Sequence, residues 1–346
     1  MLLPPGPWQG AAVRALGVVA ALVLATAAVV TCAPLPLGLS TTPGVTQAVA
    51  LRGAGALALL VLGLVIGLAA AAVALRRRRR LLVAGALAVV LLACAAGHVG
   101  VLVARGWGGG GAAPAPDLVV VALNTEVDGV APEELAALVE GSGADVVALP
   151  ETSERTAEAV AAAVERRTGE AFAVLAEEVD DRPIAATSLL VHERLGPHER
   201  ADAPALDLSA VAAAPVDGDG PLLVAVHPPP PIPGAFPQER WAEQVATAAA
   251  ACTAAPGAVV AGDLNATLDH APLADALDAG PCVDTADAVG AAAWGTWPAS
   301  VPAVLGAPID HVLVDGRVWQ PLSARVERVG ATDHRALVVA LARREP

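Results

Sequence analysis

A chain of 346 residues with 55% hydrophobic side chains and a mean hydropathy of +0.60 is too apolar for an ordinary soluble globule. Its formal charge of −14, with no lysine among the 21 basic residues, argues against broad cationic capture of nucleic acid. The two properties are segregated. No Asp or Glu precedes Asp117, so all 35 acidic residues share the later part of the chain with 13 arginines, a net of −22. The absence of Tyr and the abundance of Ala, Val, Gly and Pro fit a GC-rich coding bias and say little about function.

In chain order, three apolar runs come first, at about 11–32, 50–75 and 81–104. Each reaches the roughly 20 residues that a helix needs to cross a bilayer. Arg76-Arg77-Arg78-Arg79-Arg80 separates the second from the third. Short cationic loops stay in the cytoplasm, which puts the uncharged 33–49 loop outside. The N-terminus, with Arg14 at its border, is then cytoplasmic, and everything after about 105 faces away from the cytoplasm. A cleaved signal peptide is the alternative for the first run, although the next two spans would still anchor the chain. A nucleic-acid patch is the alternative for the arginines, and their place between two spans argues against it. The stretch 105–116 is dense in Gly and Pro and reads as a flexible connector.

From Asp117 to residue 346, short Val/Ala/Leu runs alternate with helical stretches. Strands are predicted at 118–123, 145–149, 171–178, 184–192, 206–215, 222–227, 258–261, 309–314, 324–329 and 336–342. Helices are predicted at 132–140, 153–167 (Ser153 as N-cap) and 237–254. So many strands with few helices imply two packed sheets flanked by helices. Cys32 and Cys94 sit in apolar runs as packing residues. Cys252 and Cys282 can form a disulfide if their domain is outside the cell, and spacing alone leaves that open.

Polar residues punctuate these runs. Asn124, Glu151 and His227 end or follow apolar strands, and so does Gly262-Asp263-Leu264-Asn265. Asp310 lies in Pro-Ile-Asp-His-Val-Leu-Val, within the strand predicted at 309–314, and Asp333-His334 precede the strand at 336–342. A lone strand-end Asn or Asp is ordinarily a turn residue. A set of carboxylates, amides and imidazoles at strand ends is how a scaffold assembles a metal-assisted hydrolytic site. Strand alternation turns His311 away from Asp310's face. His98, His192, His198 and His270 belong to no motif.

The ordered set resembles the endonuclease/exonuclease/phosphatase superfamily over about 118–342. Gly295-Thr296-Trp297-Pro298 is similar to a segment of its bacterial members. The resemblance implies a four-layer α/β sandwich, two mixed β-sheets flanked by helices, here preceded by three transmembrane helices. It implies phosphate ester hydrolysis with Mg²⁺, or alternatively Mn²⁺. By the same resemblance Asn124, Glu151 and Asp333 bind metal, although Pro150 stands where the family usually has Gln. Asp263 positions or activates the attacking water, while Asn265 and His227 contact the phosphate. Asp310 orients His334. The family's mid-domain Tyr or Arg has no counterpart by spacing, with Arg182 and Arg194 as stand-ins. The layout is similar to three-span actinobacterial members, including VanJ-type proteins, which implies a lipid-linked phosphate as substrate. An anchored extracellular nuclease or phosphodiesterase is one alternative, and a non-catalytic extracellular binding domain another.

Overall fold

The computed structural model describes residues 7–77, 81–110, 115–180, 182–218 and 220–344. Arg78–Arg80 of the arginine run, residues 111–114 of the connector and the last two residues of the expected 117–346 domain lie outside the described residues.

Three long helices open the chain: α1 (Pro7–Cys32), α3 (Arg52–Arg77) and α4 (Leu82–Arg105), with a short α2 (Val45–Ala50) between the first two. All three long helices are apolar and long enough to cross a membrane. Small residues let these helices approach closely. A Cβ on Gly63 would meet the Leu92 side chain at 2.9 Å, and one on Gly97 would meet Cys32 Sγ at 2.5 Å. Leu16, Leu22, Val65, Leu68, Val89 and Val103 point outward.

The rest of the described chain contributes β1 (Leu118–Ala122), α5 (Pro132–Ser142), β2 (Val146–Pro150), α6 (Glu154–Thr168), β3 (Phe172–Glu178) and β4 (Ala186–His192). Next come β5 (His198–Ala201), β6 (Ser209–Pro215), β7 (Leu223–His227), α7 (Gln238–Ala250) and β8 (Val259–Asp263). The last are α8 (Ala271–Asp278), β9 (Cys282–Asp284), α9 (Thr285–Ala288), β10 (Asp310–Asp315), β11 (Trp319–Arg328) and β12 (Arg335–Arg343). They form two six-stranded sheets, β11-β12-β1-β2-β4-β3 and β5-β6-β7-β8-β10-β9. Each sheet has a central parallel pair, β1/β2 or β7/β8, with antiparallel strands on both sides.

Sequence parity explains the layers. Val120, Ala122, Val146 and Ala148 face inward and meet Val211, Ala225, Val259 and Val312 from the other sheet. Val119, Val121, Val147 and Leu149 face outward under Leu135, Val139, Val160 and Val164 of α5 and α6. Val224, Val226 and Val260 face outward from the second sheet under Trp241, Val245 and Leu273 of α7 and α8. Central strands covered on both faces need continuous apolar runs, not alternation. The result is the expected four-layer sandwich of two mixed sheets between helices.

Three differences from the sequence reading have local causes. Edge strands β5 and β9 and helices α2, α8 and α9 are additions to it, because they are short and carry mixed or sparse apolar patterns. The expected strand at 324–329 begins at Trp319 and passes through a register shift between Pro321 and Ser323. An edge strand tolerates such a proline. The Gly/Pro stretch after α4 is pinned where described, so it is not a free connector there. Gly108 N–H donates to Gly290 O at 2.8 Å, Ala324 N–H to Gly109 O at 3.0 Å and Ala293 N–H to Gly106 O at 3.0 Å.

Cys252 and Cys282 form a disulfide that links the end of α7 to β9 across 30 residues. Closing such a loop stabilises a fold by roughly 3–4 kcal/mol in the chain-entropy treatment. Replacing both cysteines with Ser should therefore lower the melting temperature, and a reductant should do the same to the unmodified protein. Equal midpoints with and without reductant would show that the bond does not form.

Candidate active site

Topology brings the polar strand ends together. β1, β2, β7 and β8 finish at the same end of the sandwich at which their antiparallel neighbours β10 and β12 begin. Asn124, Glu151, His227, Asp263, Asn265, Asp333 and His334 consequently line one cavity of about 470 Å³. Asp310 pairs with Asp263 in the β8/β10 register and lies behind His334, buried.

Backbone conformation aims the side chains. Gly262 has φ 146°, and a Cβ there would meet Val226 O at 2.1 Å, so only Gly allows β7 and β8 to approach this closely. Glu151 (φ 57°) and Asn265 (φ 48°) occupy the left-handed region immediately after β2 and β8. That region is costly for non-glycine residues and is held only where surrounding contacts dictate it. Glu151 is fixed by Thr125, whose Oγ1 donates to Glu151 O at 2.9 Å. Asn265 is fixed by its N–H to Asp263 Oδ1 at 2.8 Å and its amide to Pro228 O at 3.0 Å. The indole of buried Trp241 adds a bond to Asn265 O at 3.0 Å.

Around the floor of the cavity, Asn124 Nδ2 donates to Glu151 Oε1 at 3.0 Å and to Asp263 Oδ2 at 3.1 Å. His227 Nε2 lies 3.8 Å from both of those carboxylates. His334 Nδ1 is 2.8 Å from Asp310 Oδ2, and its Nε2 is 3.7 Å from Asp263 Oδ2 and 3.8 Å from Asp333 Oδ1. Thr296 Oγ1 accepts from Asp310 N–H at 3.2 Å, and Trp297 Nε1 donates to Asp333 Oδ2 at 2.8 Å.

These contacts set the charges. Burial favours a neutral His334 ring, but Asp310, Asp263 and Asp333 outweigh it and raise its pKa to about 10, holding an imidazolium. Burial lowers His227 to about 4, against the pull of Asp263, and leaves it neutral. Burial raises Asp263 and Glu151 above the ordinary carboxylate range. Repulsion from Asp310 adds to the rise at Asp263, and repulsion from Asp263 adds to that at Glu151.

Two adjacent groups of residues could hold a metal. Asn124, Glu151 and Asp333 are the set singled out from sequence. Ligand atoms of Asp263, Asp310 and His334 also lie within 4.8 Å of one another. The hydrogen bond between Asp310 and His334 engages the second group, while in the first Asn124 Oδ1 accepts from Glu126 N–H at 2.9 Å and Asp333 Oδ2 from Trp297.

Sequence reasoning missed several cavity-lining residues. Gln47, Ala50 and Leu51 come from the segment between α1 and α3, and Glu126, Ile184, Ile232 and His270 also line the cavity. No local motif marks the first three, whose placement depends on a contact some 200 residues away. Arg182 and Arg194 are not in the cleft. Arg182 donates to Asp207 O at 2.9 Å, and Arg194 grips Asp145 at the other end of β2. His311 bonds Asp284 and Ala266 O, away from the cleft.

A two-sheet sandwich with this cluster at its strand ends defines a class of phosphoesterase-like folds. The Endonuclease/Exonuclease/phosphatase family profile matches residues 121–334, and the chain belongs to that family. Similar solved structures include the human Nocturnin catalytic domain with bound sulfate, at 13% identity and TM-score 0.49, covering 66% of this chain and 94% of that one. A family protein from Leptotrichia buccalis is 10% identical with TM-score 0.49, covering 65% and 99%. Humanized D. rerio TDP2 is 15% identical with TM-score 0.48, covering 65% and 98%. No curated protein sequence matches the chain.

Proposed function

We propose that this chain is a membrane-anchored, outward-facing hydrolase of phosphate esters or pyrophosphates that depends on a divalent cation, Mg²⁺ or alternatively Mn²⁺. One observation carries the reading. Glu126, Glu151, Asp263 and Asp333 line the cavity, and no arginine does among the described residues. The single imidazolium of His334 does not balance four carboxylates, so an incoming phosphate needs a further cation beside them. Carboxylate and amide oxygens are the donors that Mg²⁺ prefers. Asn124, Glu151 and Asp333 would hold it. Such an ion neutralises phosphate oxygens, acidifies bound water and favours ionised carboxylates around it.

The chain's own groups supply the rest. Asp263, buried between the two imidazoles, accepts the proton of the attacking water as its oxygen bonds to phosphorus and the bond to the leaving oxygen breaks. His334, kept cationic and oriented by Asp310, stabilises negative charge on the phosphoryl and leaving oxygens. Neutral His227 and the Asn265 amide position the phosphate by hydrogen bonding.

Three features support the outward orientation and the choice of substrate. The disulfide requires an oxidising compartment. The arginine run follows the far end of α3, whereas Arg52 and Arg105, at the other ends of α3 and α4, meet the domain. A domain at −22 is also poorly suited to nucleic acid, so a lipid-linked phosphate is favoured over DNA. Full-length protein in nanodiscs should hydrolyse at least one of a lipid pyrophosphate, an inositol phosphate, a sphingolipid head group or supercoiled DNA. EDTA should abolish the activity, and added Mg²⁺ should restore it. Activity that is indifferent to EDTA would refute the metal reading, and preference for DNA would favour the anchored nuclease.

A further inference from the structure

The membrane module builds part of the cleft. Helix α2 and the residue that follows it put Gln47, Ala50 and Leu51 into the same cavity as Asp263 and His334. That segment is fixed to the catalytic domain. His270, buried, donates through Nε2 to Thr46 O at 3.0 Å, and Gln238 donates to Thr46 Oγ1 at 2.8 Å. Ala271 N–H donates to Ser40 Oγ at 3.0 Å. Below it, Arg52 Nε and both terminal nitrogens of Arg105 bind the carboxylate of buried Asp269 at 2.7–2.8 Å. A Cβ on Gly53 would lie 2.0 Å from Val304 O, so α3 begins in direct backbone contact with the domain.

The cleft is chemically divided. Its lining joins the carboxylate and imidazole cluster to apolar residues, among them Ala50, Leu51, Ile184, Pro231 and Ile232. Ile184 and Ile232 stay substantially exposed, at 40% and 52%. Leu51 directly precedes the first residue of α3, itself a candidate membrane span from Arg52. Arg52 also donates to Cys32 O, the last residue of α1, at 3.3 Å. One cavity therefore takes lining both from the residue at the start of a candidate span, Leu51, and from Asp263 and His334. A water-soluble phosphate would gain nothing from the apolar lining.

We propose that the apolar portion is a subsite for the hydrocarbon chain of a membrane-resident phosphoester. Ala50 and Leu51 of the anchor, with Ile184, Pro231 and Ile232, would cover the first alkyl segment while the phosphate reaches Asp263 and His334. The substrate is then processed at the leaflet surface, without leaving it. This rests on the phosphoesterase reading above.

The test uses full-length protein in nanodiscs with two probe series, monoalkyl diphosphates and p-nitrophenyl alkyl phosphates, each with methyl or hexyl chains that stay monomeric. Each buried methylene contributes about fourfold to affinity, so partial burial of hexyl should raise kcat/KM at least about tenfold over methyl. In Leu51→Asn and in Ile232→Ser that ratio should drop below about threefold. Ile232 is exposed, so its variant keeps the test valid if Leu51→Asn fails to fold. A hexyl-to-methyl ratio near one, or a ratio unaffected by Ile232→Ser, overturns the subsite and leaves the phosphoesterase intact. EDTA-sensitive activity on DNA or inositol phosphates with neither alkyl series turned over does the same. Silence on every phosphate, with or without Mg²⁺, overturns both.

Discussion

His334→Ala, in the full-length protein, is expected to lower Mg²⁺-dependent phosphoester hydrolysis by about 10²–10³-fold. The size follows from the role lost, because removing a preorganised charge at a developing oxyanion costs about 10²–10³-fold. His334 bridges Asp310 on one side and faces Asp263 and Asp333 on the other. Its removal leaves three carboxylates without their cationic neighbour. Asp310→Asn should fall less far, because the ring remains but loses its charged orienting partner. Activity within tenfold of the unmodified protein in His334→Ala would remove this residue from the chemistry.

Asp269→Ala should have the largest structural effect. The Asp269 carboxylate is held by two guanidinium groups, Arg52 and Arg105, with side-chain exposures of 5%, 4% and 12% in that order. Burial alone would raise the pKa of Asp269, but the two arginines overcome it and keep the group below the usual range. Deleting one partner of a buried ion pair costs about 3–5 kcal/mol, because the other charge stays buried and uncompensated. Here two like charges would be left side by side. The domain's own core does not depend on this contact, so the expected outcome is undocking from the helices, not global unfolding. Limited proteolysis should then cut the stretch after α4 far faster than in the unmodified protein. An unchanged cleavage rate would mean that helices and domain are held together by other contacts.

The central architecture is legible in the sequence because its physics is local. Strands buried on both faces must be continuous apolar runs, and stretches such as Leu118–Leu123 and Leu222–Val226 announce themselves. Polar residues that stop such runs are conspicuous, which is why Asn124, Glu151, His227 and the Asp263/Asn265 pair could be picked out and why they converge on one cleft. Edge elements are less readable. His-Glu-Arg-Ala in β5 has no apolar face to detect, and α8 begins after a His with no motif around it. The cleft wall supplied by Gln47, Ala50 and Leu51 is invisible for a different reason. An uncharged loop between two spans has no internal signal for what it touches, and its partners Gln238 and His270 lie almost two hundred residues or more away. The same distance hid the arrest of Gly106–Gly110 on Gly290, Ala293 and Ala324.

The position of β12 has a consequence for how the chain matures. This strand follows β11 in sequence but lies between β11 and β1, inside its sheet, and His334 immediately precedes it. A nascent chain that has passed every other site residue still lacks the imidazole and the strand that seats it. Until β12 inserts, β1 has an open edge and the carboxylates of β2 and β8 have no cation from the protein to face. Insertion of β12 both closes the edge of β1 and brings the imidazole to the carboxylates.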